Sequence, residues 1–462
     1  MRPTLGVVAL FAFLALAFPA ESHPLDFSAV DQAALDAVNA GNIPGAVILV
    51  GQGDRILYRK AFGFKSLLPS KEPMTTDTLF DLASLTKVMA TTPAIFLLRE
   101  QGRLELDTPL GNYLKEFNGR EHRGLTIRRI LTHTAGFPAL PPHEAMHQGF
   151  PEAVRTLATG GLEYLPGAGF RYSDTGFILL GELVRRVSGE PLDRFVSQHF
   201  FGPLGMRDST FNPGPRLRSR IAPTEALDGK LLRGRVHDGN ARLLGGVAGH
   251  AGLFSTVDDL ARFCRTLISE GRWQGRQILK PSTVKAMLSP LTLGEVTRAL
   301  GWDMASPFSR TVGPFFPPGS VGHTGFTGTA LWVDPASRSY LIILTNRVHP
   351  YGKGQVNELR MRVAAASGAA LFAPSLRVTK GSGSQASAPA SDEPVTPRGS
   401  SLSGLDVLAG QQFALLSGRS VGLVTNQTGV DSRRRRGIDL LAQAPGLRLK
   451  AIFAPEHGLT GG

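Results

Sequence analysis

The amino-acid sequence predicts an α+β fold, in which hairpins from both ends of one domain form an antiparallel sheet beside a helical insert. Near the start, "GAVILVG" and "RILYRKAFG" are typical of two short strands joined by a turn containing Gly53 and Asp54. Much later, "GTALWVDPASRSYLIILTN" predicts a second hairpin that turns at Asp334 and Pro335. The long stretch between the hairpins is largely helical in pattern, which favours helices packed beside one sheet.

Helices are predicted before, between and after the hairpins. "FSAVDQAALDAVNAGNIPG" has helical periodicity and ends at Gly41 and Pro44, and "VNELRMRVAAASGAALF" predicts a helix that closes the domain. In "TVDDLARFCRTLI", Thr256 and Asp259 have the spacing of a capping box. The only cysteine, Cys264, lies on the apolar face of that helix, so we expect a buried, inert thiol.

The N-terminal segment predicts export. Arg2 is followed by an apolar run from Leu5 to Phe18 that ends in small residues, and this run is too short for a membrane span. We therefore expect a signal peptide over residues 1–22, although a cleavage site after Ala17 competes. No membrane-length apolar stretch follows, and the expected location is the periplasm or the medium.

The sequence divides into unequal parts after the signal. Residues 25–373 form the expected main domain, and residues 374–404 are rich in Ser, Ala, Pro and Gly, which predicts a disordered linker. Residues 405–462 have the pattern of a β-α-β unit. Two parallel strands cannot bury both of their faces, so we expect this piece to be the opening of a longer domain.

Composition limits the partners. The chain has 462 residues, with 50 Lys and Arg against 37 Asp and Glu, and a formal net charge of +13. Such a balance attracts nucleic acid or anionic surfaces, but the sequence has no zinc-finger, helix-turn-helix or RNA-binding signature. We therefore expect a generally basic surface and no nucleic-acid partner.

The stretch "DLASLTKVMATT" places Ser84 and Lys87 three residues apart at the start of a helix. At this spacing both side chains face the same way, so the lysine nitrogen can approach the serine oxygen. A desolvated lysine can lose its charge and take the serine proton, and a helix N-terminus places N–H groups where an oxyanion would form. On this motif alone, a capping serine with a lysine that reaches the solvent remains the alternative.

Two later stretches favour catalysis. "FRYSDTGFILLGELVRRVSG" places Tyr172 and Asp174 just before an amphipathic helix, and "GHTGFTGTALWV" places His323, Thr324 and Gly325 where a strand begins. The glycines suggest room for a substrate against the backbone. In chain order, Ser-x-x-Lys, Tyr-x-Asp and His-Thr-Gly correspond to the three elements of the penicillin-recognising serine enzymes.

With these motifs, residues 25–373 resemble the serine hydrolase family that contains class C β-lactamases, D-alanyl-D-alanine carboxypeptidases and related esterases. The resemblance runs along almost the whole domain, through "LFDLASLTK", "ILTHTAGFP", "YSDTGFILLGEL", "GLFSTVDDLARF" and "GHTGFTGTALWVDP". It implies a β-lactamase/transpeptidase-like fold with a helical subdomain. It also implies acyl-enzyme chemistry with no metal and no organic cofactor.

The resemblance also implies roles for individual residues. Ser84 would be the acylated nucleophile, Lys87 its proton partner, and Tyr172 a relay to or from the leaving group. The backbone N–H groups of Ser84 and Phe326 would form the oxyanion hole. The residues expected to contact the substrate are Asp174, His323, Thr324 and Gly325.

Two positions depart from the β-lactamase pattern. His323 stands where most β-lactamases carry lysine, and a mostly neutral imidazole attracts a carboxylate less than an ammonium does. Asp174 replaces the usual asparagine, and an anion there should raise the pKa of Lys87 and weaken it as a base. We therefore expect a carboxypeptidase-like or esterase-like enzyme acting on D-amino-acid peptides of the cell wall or on small esters. A β-lactamase, and a penicillin- or muropeptide-binding protein without turnover, remain alternatives.

The C-terminal piece resembles the opening of a family of exo-β-N-acetylmuramidases, through "VGLVTNQTGVD" and "IDLLAQAPGLRLKAIFAPEHGL". Glu456 and His457 match a motif implicated in the active site of that family. We expect no working second site in this short piece. Its presence nevertheless points towards the cell wall.

Three other histidine-bearing stretches have simpler interpretations. "HEAMH", from His143 to His147, matches a zinc-protease pattern but has scarcely one helical turn, so we expect no zinc. His133 is expected to fix a loop rather than act as a base. His250, between glycines, is a weaker candidate for the wall of the pocket.

Overall fold

The computed structural model describes residues 25–306, 317, 319–372, 404–418, 420–424, 431 and 435–453. The chain divides into two compact units, Met1–Val378 and Thr379–Gly462. The expected signal peptide, residues 374–403 of the expected linker, and Glu456 with His457 lie outside the described residues.

The described strands of the first unit are β1 (Gly45–Gln52), β2 (Arg55–Ser66), β3 (Glu72–Pro73), β4 (Phe80–Asp81), β5 (Thr210–Phe211), β6 (Ala226–Leu227), β7 (Lys230–Leu231), β8 (Leu253–Ser255), β9 (Arg272–Trp273), β10 (Arg276–Gln277), β11 (Leu291–Leu293), β12 (Val296–Arg298), β13 (Asp303–Ala305), β14 (Val321–Thr324), β15 (Ala330–Asp334) and β16 (Ser339–Thr345).

The described α-helices of this unit are α1 (Ser28–Asn39), α2 (Thr92–Glu100), α3 (Ile127–Leu131), α4 (His143–Met146), α5 (Phe150–Thr159), α6 (Asp174–Ser188), α7 (Leu192–Val196), α8 (Gly202–Leu204), α9 (Gly239–Leu243), α10 (Val257–Ile268), α11 (Pro281–Leu288) and α12 (Asn357–Phe372). A π-helical turn, Lys87–Thr91, leads into α2.

The main sheet joins the two ends of the first unit, as the sequence predicts. Its strand order is β11-β12-β13-β14-β15-β16-β1-β2-β3. The first hairpin meets the last along the antiparallel pair β1 and β16, in which Ala46 faces Thr345 and Val50 faces Leu341. Helices α2 to α11 lie between the two hairpins in the sequence, so the α+β prediction is confirmed.

Both faces of the central strands are buried, which explains their nearly continuous apolar sequences. In β1, Ile48 and Val50 face the layer that contains α1 and α12, whereas Val47 and Leu49 face the opposite core under the helical region. A strand covered on both faces has no polar alternation. The sheet is therefore a rigid middle layer, and β14 brings site residues to its end.

Side-chain caps start α6 and α10, as they also start α3 and α9. The Ser173 hydroxyl accepts a hydrogen bond from the Gly176 N–H at 3.2 Å and starts α6. The Thr256 hydroxyl accepts from the Asp259 N–H at 3.3 Å and starts α10. The reciprocal half of the expected capping box does not form, because the Asp259 carboxylate accepts from the N–H of Asp208 at 2.8 Å instead.

The second unit contains the predicted β-α-β pattern. Strands β17 (Ser420–Val424) and β18 (Arg448–Phe453) pair in parallel. Helix α14 (Gly437–Ala442) lies between them in sequence, and α13 (Gly404–Gly410) precedes them.

Across the described helices of both units, none combines the length and the apolar character that crossing a membrane requires.

Candidate active site

Ser84 lies in a tight turn between β4 and the π-helical turn. The preceding residue, Ala83, has a φ of +47°, a conformation that costs a residue with a Cβ about 1 kcal/mol. The buried Asp81 carboxylate holds this turn, because it accepts from the Ala83 N–H at 2.9 Å and from the His237 N–H at 2.7 Å. The strained turn is thereby fixed, and Ser84 lines the cleft.

Lys87 is fully buried behind Ser84, and its ammonium group reaches three oxygen acceptors. Nζ lies 2.9 Å from Ser84 Oγ, 2.6 Å from Asp174 Oδ1 and 3.2 Å from the carbonyl oxygen of His250. The ammonium also lies 5.0 Å from the centre of the Tyr172 ring. The structure therefore brings the first two sequence motifs together around one lysine nitrogen, which is not a solvated surface charge.

Opposing effects set the pKa of Lys87. Burial acts to lower this pKa, but the Asp174 carboxylate raises it through its charge and hydrogen bond, and Tyr172 adds to that effect. The carboxylate prevails, so the pKa of Lys87 lies above its ordinary value. This direction confirms the prediction made from Asp174. At neutral pH the lysine is charged and donates to Ser84.

Tyr172 lies just before α6, and His133 holds the backbone on both sides of it. The His133 Nδ1 accepts from the Ser173 N–H at 3.0 Å, and its carbonyl oxygen accepts from the Arg171 N–H at 2.9 Å. Burial raises the pKa of Tyr172, although hydrogen bonds with Lys87 and Ser84 act in the opposite direction. The hydroxyl is therefore protonated at neutral pH, and His133 has the loop-fixing role expected from the sequence.

His323 faces the cleft as a neutral imidazole. Its Nδ1 donates to the Thr324 carbonyl oxygen at 2.8 Å, which leaves Nε2 with a lone pair. Burial, together with the charges of Lys87 and Arg298, lowers the pKa of His323 well below its usual value. The ring centre lies 5.8 Å from that of Tyr172. His323 can accept a hydrogen bond here, but it supplies no positive charge to a substrate.

The turn after β14 is fastened to the turn that carries the serine. The Thr329 hydroxyl donates to the Leu82 carbonyl oxygen at 2.9 Å, and the Thr327 hydroxyl donates to that of Asp81 at 2.7 Å. A Cβ on Gly325 would lie 2.5 Å from the Leu82 oxygen. The glycine thus makes room for the protein's own backbone, whereas the sequence suggested room for a substrate.

The two N–H groups expected to form an oxyanion hole both lie at the cleft. Ser84 and Phe326 line it, and neither N–H donates to an acceptor among the residues with a described placement. Both groups are therefore available to a substrate oxygen.

One cleft of about 410 Å³ collects the predicted side chains. The predicted site residues that line it are Ser84, Tyr172, Asp174, His323, Thr324, Gly325 and Phe326. Three arginines that the sequence analysis missed also line it, namely Arg298, Arg347 and Arg360. None of them stands in a local motif, because Arg298 ends β12, Arg347 follows β16 and Arg360 lies on α12.

Arg298 forms a buried ion pair with Asp303. Both residues are buried, and Nη1 lies 3.2 Å from Asp303 Oδ1, while Nε and Nη2 have no hydrogen-bond partner among the residues that the structure describes. Burial lowers the pKa of Arg298, but the Asp303 carboxylate acts against this effect. The pair places a fixed positive charge near Tyr172 and His323.

Removing the carboxylate of this pair is expected to destabilise the fold. In Asp303→Ala, the Arg298 charge loses its partner, and the free energy of unfolding should fall by about 3 kcal/mol. Urea denaturation measures this loss. The matched control is Asp107→Ala in the exposed pair with Arg128, which should cost less than about 1 kcal/mol. Equal losses in the two variants would contradict the structural role of the buried pair.

The histidines of "HEAMH" lie at the start and just past the end of a four-residue helix. His143 lies 3.0 Å from Asn240, between Nδ1 and Oδ1, and α4 spans only His143–Met146. Within the described ranges, no group of three His, Cys, Asp or Glu side chains could hold a metal ion. The buried His250 side chain lies 2.8 Å from Asp238, between Nε2 and Oδ1. The His250 carbonyl oxygen accepts a hydrogen bond from Lys87 Nζ.

Comparison with known proteins identifies the family of the first unit. Residues 30–366 match the sequence model of the β-lactamase family. A relative from Escherichia coli O157:H7, provisionally named D-alanyl-D-alanine carboxypeptidase, is 33% identical over 350 residues, which is 68% of this chain and 80% of the relative.

Solved structures show the same fold. A penicillin-binding protein homologue from Caulobacter crescentus is 21% identical with a TM-score of 0.62, over 74% of this chain and 97% of that one. EstCE1, described as a hydrolase with promiscuous acyltransferase activity, is 23% identical with a TM-score of 0.61 over the same shares. The expected β-lactamase-like fold is confirmed.

Residues 421–462 match the N-terminal model of the exo-β-N-acetylmuramidase NamZ.

Proposed function

The chain belongs to the β-lactamase family of serine hydrolases, and from this premise we propose that it is an exported carboxypeptidase. In this proposal it removes the C-terminal D-amino acid from cell-wall peptides through an acyl-enzyme on Ser84. The names of its relatives support the peptide substrate. The match of its C-terminal segment to a muramidase model supports the cell wall, and the signal-like N-terminus supports export.

The positive charges of Arg347 and Arg360, which both line the cleft, are the observation that most supports the proposal. Arg347 donates to the carbonyl oxygens of Phe326 at 2.7 Å and Gly354 at 3.0 Å, and Arg360 likewise bonds only to carbonyl oxygens. Over the described part of the chain, neither guanidinium has a carboxylate partner. A carboxypeptidase must bind a free carboxylate beside the scissile bond, and these two charges suit that group where neutral His323 does not.

The arrangement around Lys87 supports a complete proton path. Asp174 Oδ1 lies 2.6 Å from Nζ and favours the ammonium form, so the reaction begins in the fraction of the enzyme in which Lys87 has lost this proton to the solvent. Ser84 Oγ then attacks the substrate carbonyl carbon as its proton passes to Nζ. The N–H groups of Ser84 and Phe326 hold the oxyanion. The C–N bond breaks as Tyr172 gives its hydroxyl proton to the leaving amine and takes up the proton held on Nζ, with which it shares a hydrogen bond. Water later hydrolyses the ester and restores the Ser84 hydroxyl.

The pH profile offers a test of the Lys87–Asp174 pair. In Asp174→Asn, the charge that raises the pKa of Lys87 is lost while the burial that lowers it remains. The acidic limb of kcat/KM, which requires the neutral amine, should therefore move down by at least about one pH unit. Stopped assays across pH measure the limb. A limb that stays in place, or moves up, would contradict the role of Lys87 as base.

A matched variant controls for a general effect of charge. Asp193→Asn removes a carboxylate from the first turn of another helix, α7. It should leave the limb unchanged.

Small esters are the second candidate substrates. The Phe326 ring is 60% exposed at the cleft and provides an apolar surface for an acyl or alkoxy group. The same Ser84 chemistry cleaves esters, whose alkoxide leaves more readily than an amine.

Reaction with penicillin tests the proposed nucleophile directly. Intact mass spectra of the main domain, residues 23–375, are taken after exposure to the drug, beside Ser84→Ala. We expect a stable adduct that is absent from the variant, because Asp174 and neutral His323 disfavour efficient release of the drug. If neither protein forms an adduct or consumes the drug, the carboxypeptidase proposal loses to the ester alternative. Rapid drug turnover by the wild type would favour a β-lactamase.

A further inference from the structure

The peptide unit that carries the Phe326 N–H is held at its opposite end. A trans peptide is planar, so fixing the Gly325 carbonyl also fixes the direction of the Phe326 N–H. The Gly325 oxygen accepts from Arg360 Nη2 at 3.0 Å and from the Gly328 N–H at 3.1 Å. The direction of the Phe326 N–H, which points to the substrate in the proposed function, thus depends on a side chain on α12.

Arg360 clamps both sides of this turn with a single nitrogen. Nη2 also donates to the Thr329 carbonyl oxygen at 2.7 Å, and this same oxygen accepts from the Gly325 N–H at 2.7 Å. Arg360 is 7% exposed and comes from a helix distant in sequence. The turn is therefore set by α12 as well as by its own hydrogen bonds.

The clamp is charged. Burial lowers the pKa of Arg360 to about 10, which still leaves the guanidinium protonated at neutral pH. A charged donor on the Gly325 oxygen polarises the amide and makes the Phe326 N–H a stronger donor. Neighbouring Arg362 provides a contrast, because it points to Asp36 on α1 at 2.6 Å.

We propose that Arg360 is a positioning residue for the oxyanion hole, because it holds and polarises the peptide unit whose N–H receives the substrate oxygen. This inference rests on the proposed acylation of Ser84. It separates Arg360 from a residue that only binds the substrate carboxylate, since an oxyanion forms on every substrate whether or not it carries a carboxylate.

The test uses the full chain, a neutral ester and a boronic acid. p-Nitrophenyl acetate has no carboxylate, and phenylboronic acid forms a tetrahedral adduct with a serine that mimics the oxyanion. For Arg360→Met, kcat for the ester should fall and KI for the boronic acid should rise by the same factor, about tenfold. KM for the ester should stay within about twofold. Arg362→Met should match the wild type in all three.

The possible results divide clearly. One result overturns the proposal. In it, Arg360→Met keeps the wild-type kcat for the ester and the wild-type KI for the boronic acid, and only its KM for carboxylate-bearing peptides rises, which means that Arg360 binds the substrate. If the methionine variant does not fold, Arg360→Lys decides. Lysine keeps the charge and one donor group, so kcat should fall and KI rise about threefold, whereas a folded lysine variant with the wild-type KI overturns the proposal. A wild type that neither hydrolyses the ester nor binds the boronic acid contradicts the proposed function itself.

Discussion

Replacing Ser84 by alanine is expected to lower kcat/KM for a D-alanyl peptide by at least about 10,000-fold. The side chain lies at the cleft, 2.9 Å from Lys87 Nζ, and no other described serine shares this position beside the lysine. Without the oxygen there is no ester intermediate, and only the binding contacts and the N–H donors remain. Release of D-alanine, measured with a coupled oxidase assay, reports the loss.

The fold of this variant should be intact. Alanine is compatible with the turn, because the Asp81 carboxylate and the two threonine hydroxyls that hold it remain in place. Ser28→Ala, at the exposed start of α1, is the matched control and should retain full activity. Residual turnover by Ser84→Ala within about 100-fold of the wild type would mean that another group is the nucleophile.

Replacing Lys87 by methionine is expected to produce a loss of similar size, about 1,000- to 10,000-fold in kcat. Methionine fills the buried volume but can neither accept the Ser84 proton nor return it through Tyr172. The acyl-enzyme should therefore form too slowly to accumulate with a peptide substrate. Single-turnover mass spectrometry of the acylated enzyme measures this step.

A double variant separates chemistry from stability. Lys87→Met leaves the Asp174 carboxylate without its cation, which is expected to destabilise the protein. Lys87→Met combined with Asp174→Asn removes both charges, so it should recover stability in urea denaturation while kcat stays low. If the double variant recovered activity together with stability, Lys87 would have a structural role and no role as a base.

The sequence predicts the parts of the site that lie close together along the chain. Ser84 and Lys87 are three residues apart, and Tyr172 and Asp174 flank a helix cap, so local geometry already brings each pair to one place. The effect of Asp174 on Lys87 was also predictable, because it depends only on a negative charge beside a buried amine. The joining of β1 to β16 followed from two hairpins of matching apolar character.

The residues that were missed depend on contacts distant in sequence. Arg298 looked like an ordinary charge before "ALGW", and only the order of β12, β13 and β14 in the main sheet brings it and Asp303 to the cleft. Arg360 and Arg362 stand in one basic helical stretch, "ELRMR", and nothing local shows that one is buried and the other faces solvent. The role of the His250 carbonyl could not be predicted either, because every residue has a main-chain carbonyl and the residue type does not show which one accepts from Lys87.

Release of D-alanine from diacetyl-L-Lys-D-Ala-D-Ala is the most direct measurement, with the same peptide ending in L-alanine beside it. The wild type should release D-alanine, and rapid quenching should trap the shortened peptide as an ester on the fragment that contains Ser84. The peptide with L-alanine should react at least about tenfold more slowly. If the enzyme hydrolyses p-nitrophenyl acetate but releases no D-alanine and forms no peptide ester on Ser84, it is an esterase and not a carboxypeptidase.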